Sequence, residues 1–128
     1  MPILVEIAAG ELIDKITILE IKLDQIGAAD KRANIRHEYE QLTAVFRAHV
    51  PPGDELAELT AALKAANLEL WRIEDDIRAC ERVKDFGAEF VTLARSVYQT
   101  NDRRAALKRK INILLQSPIV EEKSYAAY

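Results

Sequence analysis

LAELTAALKAANLELWRIEDDIRAC, residues 56 to 80, decides the fold. Leu56, Leu59, Leu63, Ala66, Leu70, Ile73, Ile77 and Cys80 alternate spacings of three and four without a slip. Over about seven turns that keeps one stripe facing a partner, the pattern of an antiparallel hairpin or bundle seam. Cys80 lies on the stripe and reads as a small buried hydrophobe, since no second cysteine or nearby histidine accompanies it. Trp71, beside Leu70, reads as a packing residue at the core edge rather than a sugar platform.

The same spacing recurs on both sides. Upstream, Leu12, Ile16, Leu19, Leu23 and Ile26 form one stripe, and Ile13, Ile18 and Ile21 widen it, so the first helix should be buried around much of its circumference. Gly27 is the expected stop and Asp30 the expected N-cap of a second helix, whose stripe is Ile35, Tyr39, Leu42, Phe46 and His49. Pro51, Pro52 and Gly53 break the chain, and Asp54 is placed to cap the long helix. Downstream, Phe86, Phe90, Leu93 and Val97 begin a fourth stripe that Leu107, Ile111 and Leu114 resume. The end segments, PILVEI (2–7) and PIVEEKSY (118–125), both read as extended, and each is the other's economical partner. The expected fold is therefore mainly α: a four- or five-helix bundle-like single domain over residues 1–128, with a small two-stranded pairing of the N- and C-terminal segments.

Composition sets the outer limits. A chain of 128 residues with 49% hydrophobic content suits one core. No apolar run approaches the roughly 20 residues of a membrane span. A single cysteine and an amino terminus unlike a secretory signal point to a reducing compartment, the cytoplasm. A net charge of -3 makes a nucleic-acid partner an unfavoured reading.

Charge is unevenly placed, and the interrupted fourth stripe is where it concentrates. NDRRAALKRKIN, residues 101 to 112, interrupts apolar spacing with polar and basic side chains. If the helix runs through, Asn101, Arg104, Lys108 and Asn112 share one face at spacings of three, four and four. A guanidinium, an ammonium and two carboxamides at a core edge suit an oxyanion. Two structural explanations compete. Arg104 and Lys108 can extend along apolar surface with their charges in water or pair across a helix interface with Glu74, Asp75 or Asp76, or the helix can break at Thr100-Asn101, where Asn101 would serve as an N-cap.

Other chemistries find less support. His37 and His49 are twelve residues apart, about 120° around a helix, and do not converge on a metal. Glu55 and Glu58 form an ExxE, but the ExxD that completes the helical pyrophosphohydrolase pattern is missing. A chorismate-mutase-like site lacks its first-helix arginine. No phosphate loop, nucleophile elbow or zinc spacing occurs, and no cofactor is specified.

GELIDKITILEIKLDQI, LWRIEDDIRACE, ARSVYQTNDRRAALKRKIN and VEEKSYAAY together resemble the bacterial family DUF6165, a domain of unknown function, over nearly the whole chain. The resemblance implies an association with glycosyltransferase and surface-polysaccharide contexts, and functional weight for Gly10, Glu11, Asp14, Lys15, Asn101, Asp102, Arg104, Lys108, Glu121, Lys123 and Tyr125. If the ends pair, Glu11, Asp14 and Lys15 should approach Lys108 and the 121–125 segment.

The favoured expectation is an auxiliary or binding module of glycan metabolism that recognises an anionic group on a nucleotide sugar, sugar phosphate or acidic glycan, with a glycosyltransferase as a possible partner. Asn101, Arg104, Lys108, Asn112, Lys15, Lys123 and Tyr125 are its binding residues. The rival is a small enzyme with Asp14 or Glu121 as general base, a carboxylate against the apolar first helix being expected to titrate high. A third reading is a helical oligomerisation or scaffold protein.

Overall fold

A computed structural model describes residues 1–128 as four helices: α1 (Ala9–Gln25), α2 (Ala29–His49), α3 (Asp54–Arg82) and α4 (Ala88–Leu114). α3 and α4 form the antiparallel hairpin, and α1 packs against all three other helices. That central position explains its wide apolar stripe: Leu12, Ile13, Leu19 and Ile21 are all buried. α2 lies outside, against α1, and has no fully buried residue. Its stripe is half-buried at Ile35, Tyr39, Leu42 and Phe46, and His49 is exposed. No helix is long and apolar enough to cross a membrane.

Ile13, Leu56, Leu63 and Ile111 form the central apolar cluster, with Phe46, Val50, Leu107 and Leu114 packed around it. Leu63 and Ile111 are 0% exposed, so truncating either to alanine should cost about 2–5 kcal/mol.

α4 is continuous through Asn101, which is therefore not a cap. Several helix ends differ from expectation. α1 leaves through Ile26 in an extended conformation and Gly27 has no positive φ. Arg32 of α2 instead closes that end, donating to the Leu23 carbonyl and, at 3.0 Å, to the Ile26 carbonyl. Ala28 and Gly53 occupy the N-cap positions of α2 and α3, which moves Asp30 and Asp54 into the first turn, where their charge favours the helix dipole.

α3 and α4 end alike. Lys84 (φ 58°) and Gln116 (φ 51°) adopt the left-handed conformation, and the Asp85 and Ser117 amides donate back to the Cys80 and Asn112 carbonyls. These are Schellman turns built without glycine. The second one reverses the chain after α4 and aims Ser117 at the start of α1.

The expected terminal strand pair is absent, and the structure has no strands. Val5, Glu6 and Ile7 do share a groove with Pro118 and Ile119, so the ends are neighbours, but no ladder forms between them. The reason is competition for the tail. Its acids face the basic block of α4, and Lys108–Glu121, Arg109–Glu122 and Asp102–Tyr128 pairs draw residues 121–128 along that helix instead. Ile3, Leu4 and Val5 are left exposed.

Candidate functional site

A polar layer crosses the bundle beside the apolar cluster. Asp14, Thr17, Asn67 and Thr100 are 0–6% exposed, an unusual set for a core this small. Asp14 is its hub. Arg104 Nε donates to Asp14 Oδ1 at 3.0 Å and Arg104 Nη2 to Oδ2 at 2.5 Å, a two-pronged pairing that fixes the guanidinium plane. Asn67 Nδ2 donates to Asp14 Oδ1 at 2.8 Å and to Thr17 Oγ1 at 3.0 Å, and the Thr17 hydroxyl donates to the Asp14 carbonyl at 2.8 Å. The hydrogen bond from Arg104 to Asp14 is the main reason its pKa is raised; desolvation opposes it only partly.

Lys108 is buried one turn along α4. Its ammonium donates to Glu11 at 2.7 Å and Glu121 at 3.2 Å, and Asp14 Oδ2 lies 4.0 Å away. Desolvation alone would lower the pKa of this lysine, but its three carboxylate neighbours outweigh that and raise it. The same contact lowers the pKa of Glu121. Lys15 is exposed and reaches Glu11 at 3.7 Å.

Gly10 explains how α1 comes so close. A Cβ there would lie 2.5 Å from the Lys108 carbonyl oxygen and 2.9 Å from Asn112 Oδ1. Asn112 Oδ1 instead accepts the Gly10 amide at 2.7 Å, and Ser117 Oγ accepts the Ala9 amide at 3.3 Å. Two first-turn donors of α1 are thus satisfied by the end of α4, in place of a side-chain cap of its own.

The face predicted from spacing is accordingly divided by function. Asn112 serves the α1 amide, and Lys108 is held by Glu11 and Glu121 with Asp14 near. Arg104 retains Nη1 without a protein partner, and half-buried Asn101 makes no side-chain hydrogen bond. Asn101 and Arg104 open into a depression of about 1020 Å³ between α4 and the tail, whose other lining includes Tyr98, Lys123, Tyr125 and Tyr128. Lys123 and Tyr125 are exposed and unpaired there. Tyr128 is anchored, its hydroxyl donating to Asp102 at 2.6 Å and its ring meeting Tyr98 edge-on at 5.0 Å. The Asp102 contact raises the Tyr128 pKa.

The cross-helix pairing of the basic block has partners other than Glu74, Asp75 and Asp76: Asp14 for Arg104, Glu11 and Glu121 for Lys108, and Glu69 for Arg103 at 2.7 Å. Sequence reasoning missed Thr17 and Asn67, whereas a continuous α4 already placed Thr100 on the inward line with Val97, Arg104, Leu107 and Ile111. A signal existed for the two that were missed, since each interrupts an apolar stretch: Thr17 in ITIL and Asn67 beside the seam residue Ala66. Cys80 is buried, and burial raises its thiol pKa, with Glu89, Asp85 and Asp76 adding to the shift. That environment keeps the sulfur protonated and unreactive. No three His, Cys, Asp or Glu side chains are arranged to hold a metal ion.

Fold and site together define a helical bundle whose core is crossed by a buried ion-pair layer with one arginine opening to a surface depression. Residues 3–128 match the family described as "Family of unknown function (DUF6165)", and the chain belongs to that family. Searches of curated proteins and of solved structures return no match.

Proposed function

We propose that the protein is a binding module that recognises an anionic group on a sugar-containing ligand, a nucleotide sugar, sugar phosphate or acidic glycan, in the depression between α4 and the tail. The observation that carries this reading is the state of Arg104. Its guanidinium is oriented by Asp14 from inside the core, yet keeps Nη1 free beside three other unpaired polar side chains, Asn101, Lys123 and Tyr125. A pre-oriented guanidinium loses little freedom on binding an oxyanion. Tyr98, Tyr125 and Tyr128 add flat faces with polar edges around it.

Lys108 supports the frame rather than the ligand, because an incoming anion would have to displace Glu11 and Glu121 from it. A binding role is favoured over a catalytic one by the carboxylates. Both Asp14 oxygens are engaged by Arg104, and the lowered pKa of Glu121 makes it a weak base. The sugar ligand and a glycosyltransferase as partner are also what the family resemblance implies, and they are part of this proposal.

The test is calorimetric titration of wild type, Lys123→Ala and Asn101→Ala with UDP-glucose, UDP, glucose 1-phosphate and glucuronate. Wild type is expected to bind at least one of these. Each variant should bind about tenfold more weakly, roughly one ion-pair or hydrogen-bond contribution, with an unchanged melting temperature. Binding that is indifferent to both substitutions would move the site away from the tail, and no binding by wild type would refute the reading.

A further inference from the structure

Arg104 lines two depressions. The second, of about 480 Å³, lies on the side of α1 and α3 and is walled by Ile18, Ile21, Leu70 and Trp71, with Asn67, Glu74, Asp75 and Arg78 supplying its polar groups. Leu70, Trp71, Glu74, Asp75 and Arg78 belong to the LWRIEDDIRACE phrase, which the anion site leaves without a role.

Four observations show a built surface. Trp71 is half-buried, so its ring is held by packing while part of it faces the depression. Asn67 is 6% exposed, and while its Nδ2 holds Asp14 and Thr17, its Oδ1 meets no protein donor. Asp75 makes no ion pair, and Glu74 is only loosely tied to Arg78 at 3.5 Å. Arg104, which lines both depressions, has its Nη1 unpaired.

An aromatic face flanked by carboxylate and carboxamide oxygens matches a ring that is apolar on its face and donates hydroxyls from its edge. The acids disfavour an anion inside this half, whereas the arginine at its border favours one at the ring's attachment point. We propose that this depression is a sugar subsite, with the ring against Trp71 and its hydroxyls donating to Asp75, Glu74 and Asn67 Oδ1. The ligand's anionic group is then held at Arg104, so that the ligand is a sugar bearing its charge directly on the ring substituent, as in a glycosyl phosphate, glycosyl diphosphate or uronate. This rests on the anion-recognition reading given above and specifies where the neutral part of the ligand sits.

The test uses probe pairs that differ by the sugar ring: UDP-hexose against UDP, hexose 1-phosphate against inorganic phosphate, and hexuronate against acetate, each with gluco, galacto and manno rings. Affinity is measured by calorimetry, together with emission from Trp71, the one tryptophan in the chain. In at least one pair the ring-bearing probe should bind about tenfold more tightly and alter Trp71 emission. Asp75→Asn should abolish that advantage, leaving the ring-free partner's affinity and the melting temperature unchanged; Trp71→Phe should keep the advantage and lose the optical signal. Equal affinity within every pair, or an advantage that survives Asp75→Asn, overturns the sugar subsite while ring-free binding that depends on Lys123 leaves the anion site standing. No binding by any probe overturns both.

Discussion

Asp14 is the residue on which most of the architecture turns. Removing one member of a buried, two-pronged pair leaves the other charge without compensation, so Asp14→Ala is expected to destabilise by about 3–5 kcal/mol. The double variant Asp14→Ala/Arg104→Ala should be less destabilised than the sum of Asp14→Ala and Arg104→Ala, because it removes both charges together. Urea denaturation of the four proteins measures this, and strict additivity would mean that the two side chains act independently. Gly10 is constrained by distance rather than charge. With a Cβ only 2.5 Å from the Lys108 carbonyl oxygen, Gly10→Ala must separate α1 from α4, at about 1–3 kcal/mol, despite alanine's better helix propensity. A variant as stable as wild type in the same assay would show that the interface yields freely.

At the scale of elements, α2 and α4 show two ways a helix can depart from simple amphipathicity. α2 keeps its stripe but covers only one neighbour, and no residue in it is fully buried. Its amides are therefore expected to exchange with deuterium well before those of α1 and the α3–α4 hairpin, through local opening rather than global unfolding. Uniform protection across all four helices would contradict this. α4 places Thr100, Lys108 and Asn112 in buried positions; Thr100 accepts from Arg103 of the same helix, whereas Lys108 and Asn112 find their partners on α1. The α4 spacing was legible in the sequence and placed Arg104 and Lys108 inward. Their partners were not, because a helical period records which way a side chain faces and carries no information about the opposing surface. The strand expectation failed for a related reason: the end segments have strand-like residues, but the energetic competition with the basic block is a long-range property.

For the whole molecule, the charged groups set a pH window. Glu121 titrates below its ordinary value near 4.5, so its contribution is present above that pH and is lost as pH falls through the lowered value. Lys108 titrates above 10.5, so its contribution is complete below that pH and is lost as pH rises through the raised value. Stability should be flat from above 4.5 to about pH 9.0, where unfolding begins to release the Cys80 thiol proton that burial holds in the folded state, and should fall on both sides. Glu121→Gln should flatten part of the acid limb and, because Glu121 is one of the carboxylates that raise the Lys108 pKa, weaken the Lys108 part of the alkaline limb as well, both modestly because Glu121 is half-exposed; urea midpoints across the pH range test it. An acid limb identical to wild type would show that Glu121 contributes nothing there.

The sequence alone determined a mainly α bundle of four or five helices, the α3 seam from Leu56 to Cys80 and the wide burial of α1, because hydrophobic periodicity is a local signal that each helix carries by itself; that α4 runs unbroken through Asn101 was decided by the structure. Tertiary structure alone decided that Arg104 belongs to Asp14 and Lys108 to Glu11 and Glu121, that Asn112 serves the Gly10 amide, and that the tail follows α4 rather than pairing with residues 2–7. The contacts with α1 join residues 90 to 102 apart and those with the tail residues 13 to 26 apart, and in both the desolvation of a charge can be offset only by whichever opposite group the packing brings within hydrogen-bond reach.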